Sequence, residues 1–252
     1  MIPIRDHNPS RRTPFVTYAL LAANIVIFLT YGFEQNGRAA AMVFVSFGAV
    51  PVEIAQGFEL HTLVTSMFLH GGWMHLAGNM LFLYIFGDNM EDQLGHLPFA
   101  GFYVVGGVLA TLAHIAVDPS SRIPLVGASG AIAAVMGGYL LLFPKARVDI
   151  FVFFVIIIRI IPVPAWMVLA IWFGLQLFNG VAAGRASAVA YWAHAGGFIA
   201  GFVMTLPWWL ARGGPRFWQR TQMHPPHPEA QYARSHIPRT GRRNTGPWGP
   251  KR

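Results

Sequence analysis

Ser129 and His194, far apart in the chain, are the residues best suited to chemistry. Ser129 stands in Gly127-Ala128-Ser129-Gly130, at the head of one apolar stretch, and His194 in Ala193-His194-Ala195-Gly196-Gly197, at the head of another. A serine hydroxyl is a weak nucleophile until an adjacent base takes its proton, and imidazole is such a base near neutral pH. Polar and ionisable groups at membrane depth are costly and are kept for function. The pair therefore suggests a serine nucleophile and a histidine base working inside a bilayer. His75 and Asn79 lie four residues apart, about 40° around a helix, so they share a face. His70 and His75, five apart, diverge by about 140° on a helix, which argues against a two-histidine metal clamp.

These residues need elements to hold them, and composition limits what those elements are. The chain has 252 residues, 54% hydrophobic and 11% charged, which points to a polytopic membrane protein rather than a soluble domain. It contains no cysteine, so disulfides, thiol nucleophiles and cysteine metal sites are excluded. The net charge of +8 is a property of one end: from Arg212 onward the only acid is Glu229, while basic and acidic side chains balance elsewhere. That proline-rich, aliphatic-poor tail, residues 211–252, reads as a disordered cytoplasmic segment that touches anionic lipid rather than nucleic acid.

Six spanning helices are expected, at about 15–31, 73–90, 97–117, 127–143, 164–181 and 191–210, after a polar, basic segment over 1–14. The connection from Gly32 to about Gly72 is too long for a tight turn and should hold short interfacial helices. Residues 148–161 are β-branched, interrupted by Arg159 and followed by Pro162 and Pro164, so they read as re-entrant or interfacial. The fold class is then all-α, a six-helix membrane bundle. Both termini lie on the side marked cytoplasmic by Lys145, Arg147 and the terminal basic residues, in a membrane expected to be a prokaryotic plasma membrane.

Parity brings the polar residues together. The second, fourth and sixth spans run in one direction, and each carries its polar residues near its outer end: His75 and Asn79, Ser129, and His194. Small residues at four-residue spacing, Gly130, Ala134 and Gly138 on the fourth span and Ala193, Gly197 and Gly201 on the sixth, predict that these two helices approach closely.

In these segments the chain resembles the rhomboid intramembrane serine proteases. The resemblance rests on His70-Gly71-Gly72-Trp73-Met74-His75-Leu76-Ala77-Gly78-Asn79-Met80, on Gly127-Ala128-Ser129-Gly130, and on His194 followed by Gly197 and Gly201, in that order, and covers roughly 15–210. It implies that Ser129 is the nucleophile and His194 the base that later protonates the leaving amine. Asn79, His75 and the Ser129 backbone N–H would stabilise the oxyanion. Gly127 and Gly130 would serve through their backbone, letting the chain turn and expose the serine. It further implies transmembrane protein substrates within the lipid bilayer, no nucleic acid, no cofactor and no metal, and a lateral gate formed by the fifth span, with Trp166, Trp172 and Phe173, and the loop after it.

Asp88, Asp92, Asp118 and Asp149 fall at span ends or in loops, so a dyad is expected rather than a triad. The chain departs from some family members at two places. His61-Thr62 stands where they carry Trp-Arg, and Ala133 where they carry an aromatic residue against the catalytic histidine. The alternative reading is a catalytically silent rhomboid-like protein that binds or escorts membrane clients. His61, His96 and His114 read as interfacial or structural.

Overall fold

A computed structural model of the chain describes residues 2–8, 10–34, 37–154, 157–182 and 189–226. In chain order it contains β1 (Ile2–Asp6), α1 (Phe15–Leu29), α2 (Arg38–Phe47), α3 (Pro51–Ala55), α4 (Thr62–Thr65), α5 (Trp73–Leu94), α6 (His96–Val117), α7 (Ser129–Leu142), β2 (Arg147–Phe154), β3 (Ile157–Pro164), α8 (Ala165–Ala182), α9 (Tyr191–Ala211) and α10 (Pro215–Thr221). A helix stands at each of the six predicted stretches, and the long first connection holds short helices. Among the described residues, α6 and α8 are long and apolar enough to cross a membrane; α1, α2 and α7 are apolar but shorter. The expected count of six spans is thus not reached on length and composition alone. α5, for example, ends in Asp88, Glu91 and Asp92.

α7 is the hub. Eleven of its 14 residues are buried, Ala131 to Tyr139 without a break among them. Small residues allow this. A methyl group on Gly106 of α6 would lie 2.5 Å from the Ala134 Cβ, and one on Gly130 would lie 2.7 Å from the Ala110 Cβ. On α9, methyl groups on Gly197 and Gly201 would run into the carbonyl oxygens of Gly130 and Ala134. The close approach read from the two small-residue rows is the approach observed.

α1 is tied in by charge. Its first-turn N–H groups lack helical partners. The buried Glu91 carboxylate accepts from Val16 N at 2.9 Å, Thr17 N at 2.7 Å and Thr17 Oγ1 at 2.7 Å. A carboxylate there also complements the positive end of the helix dipole.

Two expectations are corrected. The chain is mostly helical but not all-α: β1, β2 and β3 form an antiparallel sheet in that order. Arg147 pairs with Pro164, Ile150 with Ile161, and Asp6 of β1 with Val148. The run expected to be re-entrant or interfacial is a hairpin, because β-branched and aromatic residues suit a pleated surface and lose rotamer freedom in a helix. Its edge is fixed by Asp149, which accepts from Arg5 Nε at 2.7 Å and pairs with His7 Nε2 at 2.6 Å. The tail expected to be disordered from 211 begins instead with α10. Phe217 is buried there, and the Trp218 indole N–H donates to the Leu141 carbonyl at 2.9 Å. Residues 227–252, the rest of that tail, and 183–188, in the loop assigned to the gate, lie outside the described residues.

Candidate active site

Ser129 opens α7 directly after a turn that only glycine suits. Gly127 has φ +132°, a region that L side chains rarely adopt. A methyl group there would also lie 2.8 Å from Nε2 of His75. The turn is pinned by the Gly127 N–H donating to the Ser66 carbonyl at 2.9 Å. Ser129 thus sits at the N-terminus of a 14-residue helix, where backbone N–H groups have no helical acceptor and favour negative charge.

His194 lies in the first turn of α9. Its Nε2 is 2.7 Å from Ser129 Oγ. Its Nδ1 is 2.8 Å from Oε1 of Gln176 on α8. The Trp172 ring, one turn earlier on α8, lies 5.9 Å from the imidazole, inclined at 33°.

α5 supplies the donors. His75 Nδ1 accepts from the Gly71 N–H at 3.3 Å, so the proton of its neutral ring is on Nε2, the atom facing Gly127. Asn79 is buried, and among the described residues its Nδ2 has no partner. A buried amide donor without an acceptor is costly unless something arrives to use it. Asn79, His75, Ser129 and His194 line one open cavity of about 1140 Å³. Chemically, the arrangement offers a hydroxyl beside a base, with amide and imidazole N–H donors lining the same cavity.

His70 is fully buried, its ring 5.2 Å from that of His75 in an edge-on contact. Burial, and then the neighbouring His75, push its imidazole down to about 3, so it is neutral at physiological pH. Tyr31 clamps this turn: its hydroxyl accepts from the His70 N–H at 2.6 Å and donates to the His70 carbonyl at 3.2 Å. His61 pairs at 3.4 Å with Glu59, and His96 with Glu91 at 2.5 Å, both away from the cavity. His114, read as interfacial or structural, lines the cavity.

Gln176 was missed from sequence, although a glutamine inside the largely apolar run 165–182, which also holds Asn179, is the kind of costly intramembrane polar group that signals a role. The aromatic residues of α8 divide. Trp166 is exposed, whereas Trp172 packs on His194 and Phe173 stacks on Phe198 at 4.8 Å. Ala133 of α7 is fully buried, and the Trp172 indole of α8 lies against the His194 ring.

The rhomboid domain profile matches residues 57–210, more than half of the chain and all of the residues above from His70 to His194. The chain is 27% identical over 210 residues to the mitochondrial rhomboid protein 1 of Saccharomyces cerevisiae, covering 81% of this chain and 56% of that one. It is 36% identical over 129 residues to the rhomboid protease GluP of Bacillus subtilis, covering 50% and 24%. It is 30% identical over 128 residues to the chloroplastic rhomboid-like protein 11 of Arabidopsis thaliana, covering 50% and 41%. The chain spans about half or less of each relative's length. Because these relatives include mitochondrial and chloroplastic proteins, they give no support to the expected prokaryotic plasma membrane. On the profile match over residues 57–210, together with these relatives, the chain belongs to the rhomboid family.

Proposed function

We propose that this protein is a serine endopeptidase that cleaves transmembrane segments of membrane proteins. The observation that carries the reading is the 2.7 Å hydrogen bond between Ser129 Oγ and His194 Nε2 at the cavity. In the reaction, Oγ attacks the scissile carbonyl carbon as its proton passes to Nε2. The negative charge that develops on the carbonyl oxygen is met by Asn79 Nδ2, His75 Nε2 and the Ser129 backbone N–H. Such donors supply the largest catalytic contribution in many enzymes. Collapse of the tetrahedral adduct breaks the C–N bond, and the Nε2 proton leaves with the amine. A water molecule then attacks the acyl-enzyme, with His194 again acting as base.

The family is integral to membranes. In this reading α1, α5, α6, α7, α8 and α9 cross the bilayer with both termini on one face. α7, with 14 residues, is only about 21 Å long against a hydrocarbon core of about 30 Å. Its N-terminus therefore starts below the outer face, at the floor of the cavity through which water reaches the acyl-enzyme. Substrates would be cut near that face, at sites with small residues and weak helicity, because a helix hides its carbonyl groups from attack.

The test is cleavage of a fluorogenic transmembrane substrate in liposomes by wild type, Ser129→Ala and His194→Ala. Wild-type cleavage that drops by about 10³-fold or more in both variants is expected. Cleavage surviving Ser129→Ala refutes the mechanism. A folded wild type that cleaves nothing favours the silent, client-binding alternative.

A further inference from the structure

We infer that Gln176 is the third member of the catalytic relay, a positioning residue that fixes the tautomer and orientation of His194; this rests on the protease reading above. Two hydrogen bonds define the amide. Gln176 Nε2 donates to the Trp172 carbonyl at 3.3 Å, and a carbonyl only accepts. The amide is therefore oriented with Oε1 toward the histidine, 2.8 Å from Nδ1. An amide oxygen also only accepts, so Nδ1 must carry the proton. The lone pair of Nε2 then faces Ser129 Oγ at 2.7 Å, the tautomer a general base requires. The opposite tautomer would set two lone pairs against each other at Nδ1.

The elements make this placement specific. Trp172 and Gln176 are four residues apart on α8, hence on one face, and both meet His194: the indole covers the ring and the amide holds its far nitrogen. On α7, the small Ala133 leaves the ring without an aromatic support from that side. A neutral amide also suits a site in a low-dielectric surrounding, because a carboxylate in its place would have to be desolvated. Gln176 exchanges no proton. When Ser129 Oγ gives its proton to Nε2, the Nδ1–H remains bonded to Oε1, and the amide dipole stabilises the imidazolium until Nε2–H goes to the leaving amine.

The experiment uses the full chain in liposomes with the fluorogenic transmembrane substrate and, separately, a fluorophosphonate that labels the reactive serine. Gln176→Met keeps the side-chain length but loses the oxygen. Gln176→Glu keeps an oxygen at the same reach. The other titratable groups around the ring, His75 on α5 and His114 on α6, are unchanged in both. Gln176→Met is expected to lower kcat and the labelling rate by about 10²-fold with KM within about twofold. Gln176→Glu is expected to recover most of the loss and to move the acid limb of the pH–rate profile to higher pH. Gln176→Met with wild-type kcat and labelling overturns the assignment. So does a loss in which KM and thermal stability fall together with kcat and which Glu does not rescue. A wild type that neither cleaves nor labels overturns the protease reading, and the role of Gln176 with it.

Discussion

Replacing Gly201 by alanine places one methyl group at the tightest part of the α7–α9 contact, more than one helical turn from His194. The new Cβ would lie 2.5 Å from the Ala134 Cα and closer still to the Ala134 carbonyl, where ordinary contact begins at 3.4 Å. Those neighbours are backbone, so no side-chain rotation relieves the clash. The helices must separate by about 1 Å, and overpacking of this kind costs about 1–3 kcal/mol. α7 carries Ser129 and α9 carries His194, so the same displacement lengthens the 2.7 Å bond between them. A misplacement of about 1 Å costs about 10²-fold in rate. The expectation is a folded Gly201→Ala protein, lower in thermal midpoint, with cleavage and fluorophosphonate labelling both down about 10²-fold. Gly101→Ala on α6, where a methyl group meets nothing within 4 Å, serves as the control and should match wild type. Wild-type cleavage and melting in Gly201→Ala would refute the claim that the α7–α9 spacing sets the site geometry.

Asn79→Ala removes the unpartnered donor and should lower kcat by about 10²–10³-fold with little change in KM, measured by steady-state cleavage; an unchanged kcat would remove Asn79 from the oxyanion site. Glu91→Ala leaves the three donors at the start of α1 without their buried acceptor, and should cost about 2–4 kcal/mol by chemical or thermal unfolding in detergent; a change near zero would mean that water reaches that helix end. Burial, and then the Asp88 carboxylate, push the Asp6 carboxyl from 3.8 up to about 8. A group raised in the folded state contributes stability that is fully present below about pH 4 and is lost as pH rises through about 8. The thermal midpoint should therefore fall between pH 5 and pH 9 through loosening of β1, and Asp6→Asn should flatten that slope; a slope of opposite sign, or one that Asp6→Asn leaves intact, would contradict the cause given.

The sequence by itself determined where the helices lie and which face of α5 is polar. Long hydrophobic runs, punctuated by Gly95, Pro144 and Pro164, locate the ends of α1 and α5 to α9 to within four residues, because burial of apolar side chains and helix-breaking backbones are local properties. The rows of small residues on α7 and α9 predicted their contact for the same reason: a helix face is written in i, i+4 spacing. The hairpin was only half legible. Its composition argued against a span, but whether β-branched residues pair as strands depends on partners, here β3 and also β1, more than 140 residues earlier.

Tertiary structure alone decided what holds His194. Gln176 and His194 belong to different helices, and no spacing rule relates them. Only the packing of α8 against α9 brings an amide oxygen to Nδ1 and an indole over the ring. The same holds for Glu91 beneath α1 and for Asp6 beside Asp88 and Asn89, polar contacts formed across 74 and 83 residues of chain. Periodicity reports which face of an element is apolar. It carries no information on which polar group of another element will be satisfied there, because that depends on distances set only when the bundle closes.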